Sequence, residues 1–162
     1  MSATITDEQC AARELVRNWA AGAGARAAVR DMENSPADAW RPVFGGLADL
    51  GLFGVAVAED AGGAGGSVED LCAMIEEAAG ALVPGPIVTT ALATLVVDAT
   101  TVVDGARVLS SLMSGERTAG AALTAELTLV DGRVSGVTAA EYAYWRAEAL
   151  RPQPSCCIWG LS

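Results

Sequence analysis

Apolar positions recur at helical spacing along most of the chain as far as Met113. Thr6-Asp7-Glu8-Gln9 reads as a capping box, with Thr6 as N-cap and Gln9 reaching back to it. Ala12, Leu15, Val16, Trp19 and Ala23 follow at helical spacing, with Arg13, Glu14 and Arg17 on the other side. Gly22 and Gly24 weaken the end of this helix. Ser35-Pro36 marks a second start, a capping residue followed by proline at the first helical position. Its stripe is Trp40, Val43, Phe44, Leu47 and Leu50, and Gly51 stands where a C-terminal stop belongs. Ser67 caps a third helix, with Val68, Leu71, Cys72, Ile75, Ala79 and Leu82 on one side. Glu69, Asp70, Glu76 and Glu77 lie opposite. Pro84-Gly85-Pro86 forces a corner. Beyond it Ile87 to Val97 has no polar face, which predicts a helix buried between others. Ala106 to Met113 predicts a shorter one.

After Ser114-Gly115 the period shortens. Ala119 to Leu123 and Leu127 to Val130 read as strands, and Asp131-Gly132 is a hairpin turn into Arg133 to Val137. The fold class is therefore mainly α, a helical domain followed by the first strands of a β-domain.

Composition removes most catalytic chemistries. The 162 residues are 52% apolar and 19% charged, which suits a packed core and not disorder. Histidine is absent, and all 10 basic residues are arginine. Without His there is no Ser/His/Asp or Cys/His nucleophile and no HExxH zinc site. Without Lys there is no Walker loop and no Schiff base. The net charge of −10, with no basic stripe, argues against nucleic acid. Cys10, Cys72, Cys156 and Cys157 form no disulfide framework and no CxxC pair. No signal peptide is visible, and the longest apolar run, Pro86 to Val97, falls short of the roughly 20 residues a membrane span needs. A cytoplasmic protein without a membrane span is expected. Abundant Ala with no Lys hints at a GC-rich, actinobacterial coding sequence.

The remaining motifs have plain structural readings. Gly62-Gly63-Ala64-Gly65-Gly66 could cradle a phosphate, since glycine lets backbone N–H groups approach an anion. Val68 stands where a third fingerprint glycine would be, and two acids precede the loop, so a tight connector is favoured. The carboxylate pairs Glu59/Asp60, Glu69/Asp70 and Glu76/Glu77 could serve as acid/base pairs, but a solvated face explains those on the third helix. Trp19 and Trp40 sit within apolar stripes and predict core packing. The residues by themselves assemble no catalytic, metal or cofactor-binding constellation.

Leu50-Gly51-Leu52-Phe53-Gly54-Val55-Ala56-Val57-Ala58-Glu59-Asp60-Ala61-Gly62-Gly63-Ala64-Gly65 resembles the N-terminal signature of acyl-CoA dehydrogenases, "lGLfGv…pEe.GG.G". The opening helix, the helix carrying Trp40 and Leu47, and the helix from Ser67 to Leu82 also resemble that family. So do the Val83-to-Ile87 corner and the crossing at Ser114-Gly115-Glu116-Arg117. The resemblance implies an N-terminal helical domain over residues 1–115 and the start of a middle β-domain over 116–142. It implies oxidation of an acyl-CoA thioester: a carboxylate takes the α-proton while hydride leaves the β-carbon for FAD. An acyl-CoA substrate and a homo- or hetero-oligomer with another dehydrogenase subunit follow as partners. Some relatives acting on sterol side chains pair a subunit with a degenerate flavin site and a competent partner.

The departures are as informative. Where the family shows a T-E-P-type flavin motif, this chain reads Thr124-Ala125-Glu126-Leu127. No residue takes the place of the catalytic carboxylate, so the chain by itself is expected neither to turn over nor to retain FAD. An interaction module docking on a full-length dehydrogenase is the alternative. The family's acyl tail lies near the corner, which makes Pro84, Gly85, Pro86 and Ile87 the substrate-binding candidates. Residues 143–162 form an irregular tail. Tyr144-Trp145-Arg146 read one base earlier gives aliphatic-Leu-(Ala/Glu), close to the family's "eyVlga" strand, so the tail is expected to be read out of frame.

Overall fold

A computed structural model describes residues 5–34, 38–101 and 103–121, and the strands 125–130 and 133–138. The tail from Ala143 and the turn at Asp131-Gly132 lie outside the described residues, as does Ser35-Pro36. The described part is mostly helical. Its helices are α1 (Asp7–Ala20), α2 (Ala25–Asn34), α3 (Arg41–Asp49), α4 (Val68–Gly80), α5 (Ile87–Asp98) and α6 (Gly105–Met113). Short 3-10 turns at Leu52–Gly54 and Glu59–Ala61 link α3 to α4. Strands β1 (Ala125–Val130) and β2 (Arg133–Thr138) pair antiparallel with Val130 opposite Arg133. No described helix is long and apolar enough to cross a membrane.

The ends of these helices follow from local chemistry. The Thr6 hydroxyl accepts from Gln9 N–H at 3.2 Å, and Gln9 Oε1 accepts from Thr6 N–H at 3.3 Å, completing the expected box. Ser67 and Asp70 repeat it at the head of α4. Helix α3 starts at Arg41, with Pro42 in its first turn, instead of at Ser35-Pro36. The physical reason is the one that recommended Pro36: a first-turn proline loses no hydrogen bond.

The apolar side of α2 is small at its start: Ala25 and Ala28 are buried, and Val29 and Met32 follow at helical spacing, half-buried, with Met32 against the core. Gly24, at φ +72°, separates it from α1. Helix α4 is rotated relative to its predicted face. It buries Leu71, Ala73, Met74 and Ala78, and leaves Val68, Cys72, Ala79 and Leu82 exposed. Helix α5 also departs from expectation. One side packs Ile87, Ala91 and Val97 inward, while Val88, Leu92 and Val96 remain 61%, 42% and 43% exposed. Ala119 to Ala121 forms only an isolated bridge at Ala121, and the rest of that expected strand lies outside the described residues.

The core centres on Trp40, Phe44 and Phe53, all essentially inaccessible. Trp40 meets Phe44 edge-on at 5.2 Å, and Phe44 meets Phe53 at 4.8 Å. Each such ring contributes about 3 kcal/mol through removal of apolar surface from water. Val16, Leu47, Leu52, Leu71 and Met74 pack around them, and Val57, Val97, Leu109 and Leu112 form a second cluster.

Candidate functional site

The glycine loop closes on the segment before it as a clamp. Consecutive amides all donate to backbone carbonyls: Gly62 to Glu59, Gly63 to Ala58, Ala64 to Gly54, Gly65 to Val57 and Gly66 to Val55, at 2.8–3.0 Å. A methyl group at Gly63 would collide with the Val57 carbonyl, so only glycine lets the two strands of backbone approach this closely. Because these N–H groups are already bonded, the loop has no donors left with which to hold a flavin pyrophosphate. The residues of this loop do not fit that group.

The corner after α4 is built on the same aromatic centre. Gly85 has φ +121°, and a side chain there would strike Trp40 Cε3 and Phe44 Cδ2. Pro84, Pro86 and Ile87 are buried around it. The Pro86 carbonyl accepts from Thr90 N–H at 3.0 Å and from the Thr89 hydroxyl at 3.3 Å, which starts α5. The four substrate candidates are thus brought together at one point, wedged onto the core. Phe44 joins this corner to Phe53 of the signature segment. Sequence reasoning had no signal for that aromatic link.

The carboxylate pairs divide. Glu69 is solvated, whereas Asp70 serves as a cap. Its pKa is held below the ordinary carboxylate value, first by the Ser67 backbone N–H and then by the Ser67 hydroxyl. Glu76 and Glu77 bind α1. Arg13 Nη2 donates to Glu76 Oε2 at 2.6 Å, and Arg17 Nη2 donates to Glu77 Oε1 at 2.6 Å. The Arg17 hydrogen bond, chiefly, lowers the Glu77 pKa, and the Glu76 hydrogen bond raises that of Arg13. Each carboxylate of the pair is thus taken by an arginine of α1, so Glu76 and Glu77 form a seam between two helices. Charges on two helices 60 or more residues apart gave no sequence signal that they would meet.

Two surface grooves lie away from the corner. One, of about 610 Å³, runs between the C-terminal ends of α1 and α4 and is lined by Arg17, Arg26 and Glu77 among small residues. The other, of about 290 Å³, lies beside α6 with Arg107, Ser110, Ser111, Glu116 and Arg117. Among the described residues no group of three or more Cys, Asp or Glu could hold a metal ion.

The glycine clamp and the proline-glycine corner both fall within a segment that matches a known family. Residues 6–116 match the family described as acyl-CoA dehydrogenase, N-terminal domain, and the chain belongs to that family. Its members are, in general, FAD-dependent flavoproteins. Acyl-CoA dehydrogenase FadE34 of Mycobacterium tuberculosis is 65% identical over 131 residues, which cover 76% of this chain. The chain spans 18% of that relative's length. No solved structure matches it.

Proposed function

We propose that this chain supplies the N-terminal helical layer of an FAD-dependent acyl-CoA dehydrogenase, with residues 1–115 as the helical domain and 116–142 as the opening of the middle β-domain. The observation that carries this reading is the junction at Phe44, where the signature segment and the corner pack on one ring. The corner of Pro84, Gly85, Pro86 and Ile87 then forms the floor against which an acyl tail lies. Bound FAD would supply the hydride acceptor, from outside the loop described above. The chain's own residues orient the acyl end and exclude water from it.

Alone, these residues neither retain FAD nor turn over. The committed amides of residues 62–66 support this. The uncovered α5 row supports a layer made to be covered by further protein. A chimera of the FadE34 relative, with its aligned segment replaced by residues 1–142, tests the reading. It should hold FAD and oxidise an acyl-CoA; a folded chimera without flavin would overturn it.

The same uncovered row favours a second reading, a non-catalytic module that docks on a full-length dehydrogenase. Gel filtration of the isolated chain with the intact relative separates the two. A stable complex supports docking, because an intact enzyme already carries its own helical layer.

A further inference from the structure

Helix α5 buries three threonines among aliphatic residues: Thr89, Thr90 and Thr94. Thr89 and Thr94 turn back on their own helix, donating to the carbonyls of Pro86 at 3.3 Å and Ala91 at 2.7 Å. That is the ordinary way for a helical threonine to satisfy its hydroxyl. Thr90 behaves differently. Its Oγ1 accepts from the backbone N–H of Ala119 at 3.2 Å, across 29 residues of chain.

Ala119 lies beyond α6, in the segment that leaves the helices for β1. Just before it, the Arg117 N–H donates to the Ser111 carbonyl of α6 at 2.9 Å. The departing segment is therefore tied at two points, to α6 through backbone and to α5 through one side chain. The backbone tie survives most substitutions at Ser111, whereas the second depends on the Thr90 hydroxyl alone. Thr90 has no exposure to solvent, and Ala119 is half-buried, so the bond lies at the edge of the core.

We propose that Thr90 is a positioning residue, whose hydroxyl latches the departing segment and sets where and in which direction the chain leaves the helical body. The latch rests on this hydrogen bond. That the strands so directed belong to a flavin-bearing domain rests on the functional reading above. The corner at Pro86 and the exit at Ala119 are then coupled through a single turn of α5, because Thr90 N–H is bonded to the Pro86 carbonyl while its side chain holds Ala119.

Amide hydrogen exchange by NMR on the full 162-residue chain tests the latch. Thr90→Val keeps the shape and removes the acceptor, so exchange at Ala119 should quicken about ten-fold while α1 and α4 amides hold. Thr90→Ser should restore protection. Thr94→Val makes the same chemical change on the same helix and should leave Ala119 alone. If valine prevents folding, Thr90→Ala against Thr90→Ser gives the same comparison, since both shrink the side chain and only alanine lacks the acceptor. Unchanged exchange at Ala119 in the valine or alanine variant overturns the proposal, as does an equal effect from Thr94→Val or no rescue by serine. The expected pattern in a chain whose chimera binds no flavin would keep the latch and remove the functional reading.

Discussion

Arg17 holds Glu77 by one edge of its guanidinium, with Nη2 2.6 Å from Oε1 and Nε 3.2 Å from Oε2. Arg13 Nη1 approaches the same Oε1 at 3.5 Å. Glu77 is therefore the hub of the α1–α4 seam, with its side chain 19% exposed against 70% for Glu76. Glu77→Gln leaves two guanidinium groups facing each other, whereas Glu76→Gln loses a pair that solvent already screens. Calorimetry should show a larger drop in Tm for Glu77→Gln. Equal drops would contradict the hub.

The carboxylates of Asp70 and Glu77 have their pKa values lowered in the folded protein. The unfolded chain therefore binds protons at a higher pH than the folded one. The stability these groups contribute is complete above the ordinary carboxylate range and is lost as pH falls through the folded values. Denaturant midpoints should be level near neutrality and decline below about pH 4. The Asp70→Asn/Glu77→Gln double variant should start lower at pH 7 and decline less steeply.

Leu82 occupies a left-handed conformation, φ 59°, and is 56% exposed. It ends α4 in the position glycine usually takes: Leu82 N–H donates to Ala79 and Val83 N–H to Ala78. Leu82→Gly relieves the steric cost of that conformation and should raise stability by about 1 kcal/mol in urea titration. Gly63→Ala should act in the opposite sense, costing about 3 kcal/mol, because the added methyl meets backbone.

The α5 row makes a solubility prediction. Val88, Leu92 and Val96 recur every fourth residue without a charge between them on that face. Leu92→Glu with Val96→Lys should change the unfolding free energy in urea titration by no more than about 0.5 kcal/mol. Light scattering should show less self-association than the parent chain. A large loss of stability would mean that this row packs inside the isolated molecule.

Much of the fold was legible because it rests on local grammar. The Thr6 and Ser67 caps and the Gly51 stop each declare themselves within a few residues. Alanine was the main source of error. In α2 it hid a helix whose buried residues, Ala25 and Ala28, carry no apolar bulk. In α4 it blurred the phase, since Ala73 and Ala78 face inward while Ala79 and the larger Val68 face out. Pro36 and Pro42 are equally good helix starters, and the sequence offers no local reason to prefer the second. At the corner, the proline-glycine pattern foretold a turn but not its seat on Trp40 and Phe44. That seat depends on a contact across about 40 residues, which only tertiary packing decides.

The seam between α1 and α4 also bears on how the molecule is made. Arg13 meets Glu76 across 63 residues, and Arg17 meets Glu77 across 60. As the polypeptide emerges from a ribosome, α1 leaves before α4, and its arginines have no carboxylate of this seam to bind until α4 has followed it out. Its capping box can hold a nascent turn, but a short helix of this kind is marginal in water by itself. Helix α1 is therefore synthesised well before the ion pairs that seat it on α4 can form. Its exposed interval lasts as long as the ribosome takes to translate α2, α3 and the glycine clamp.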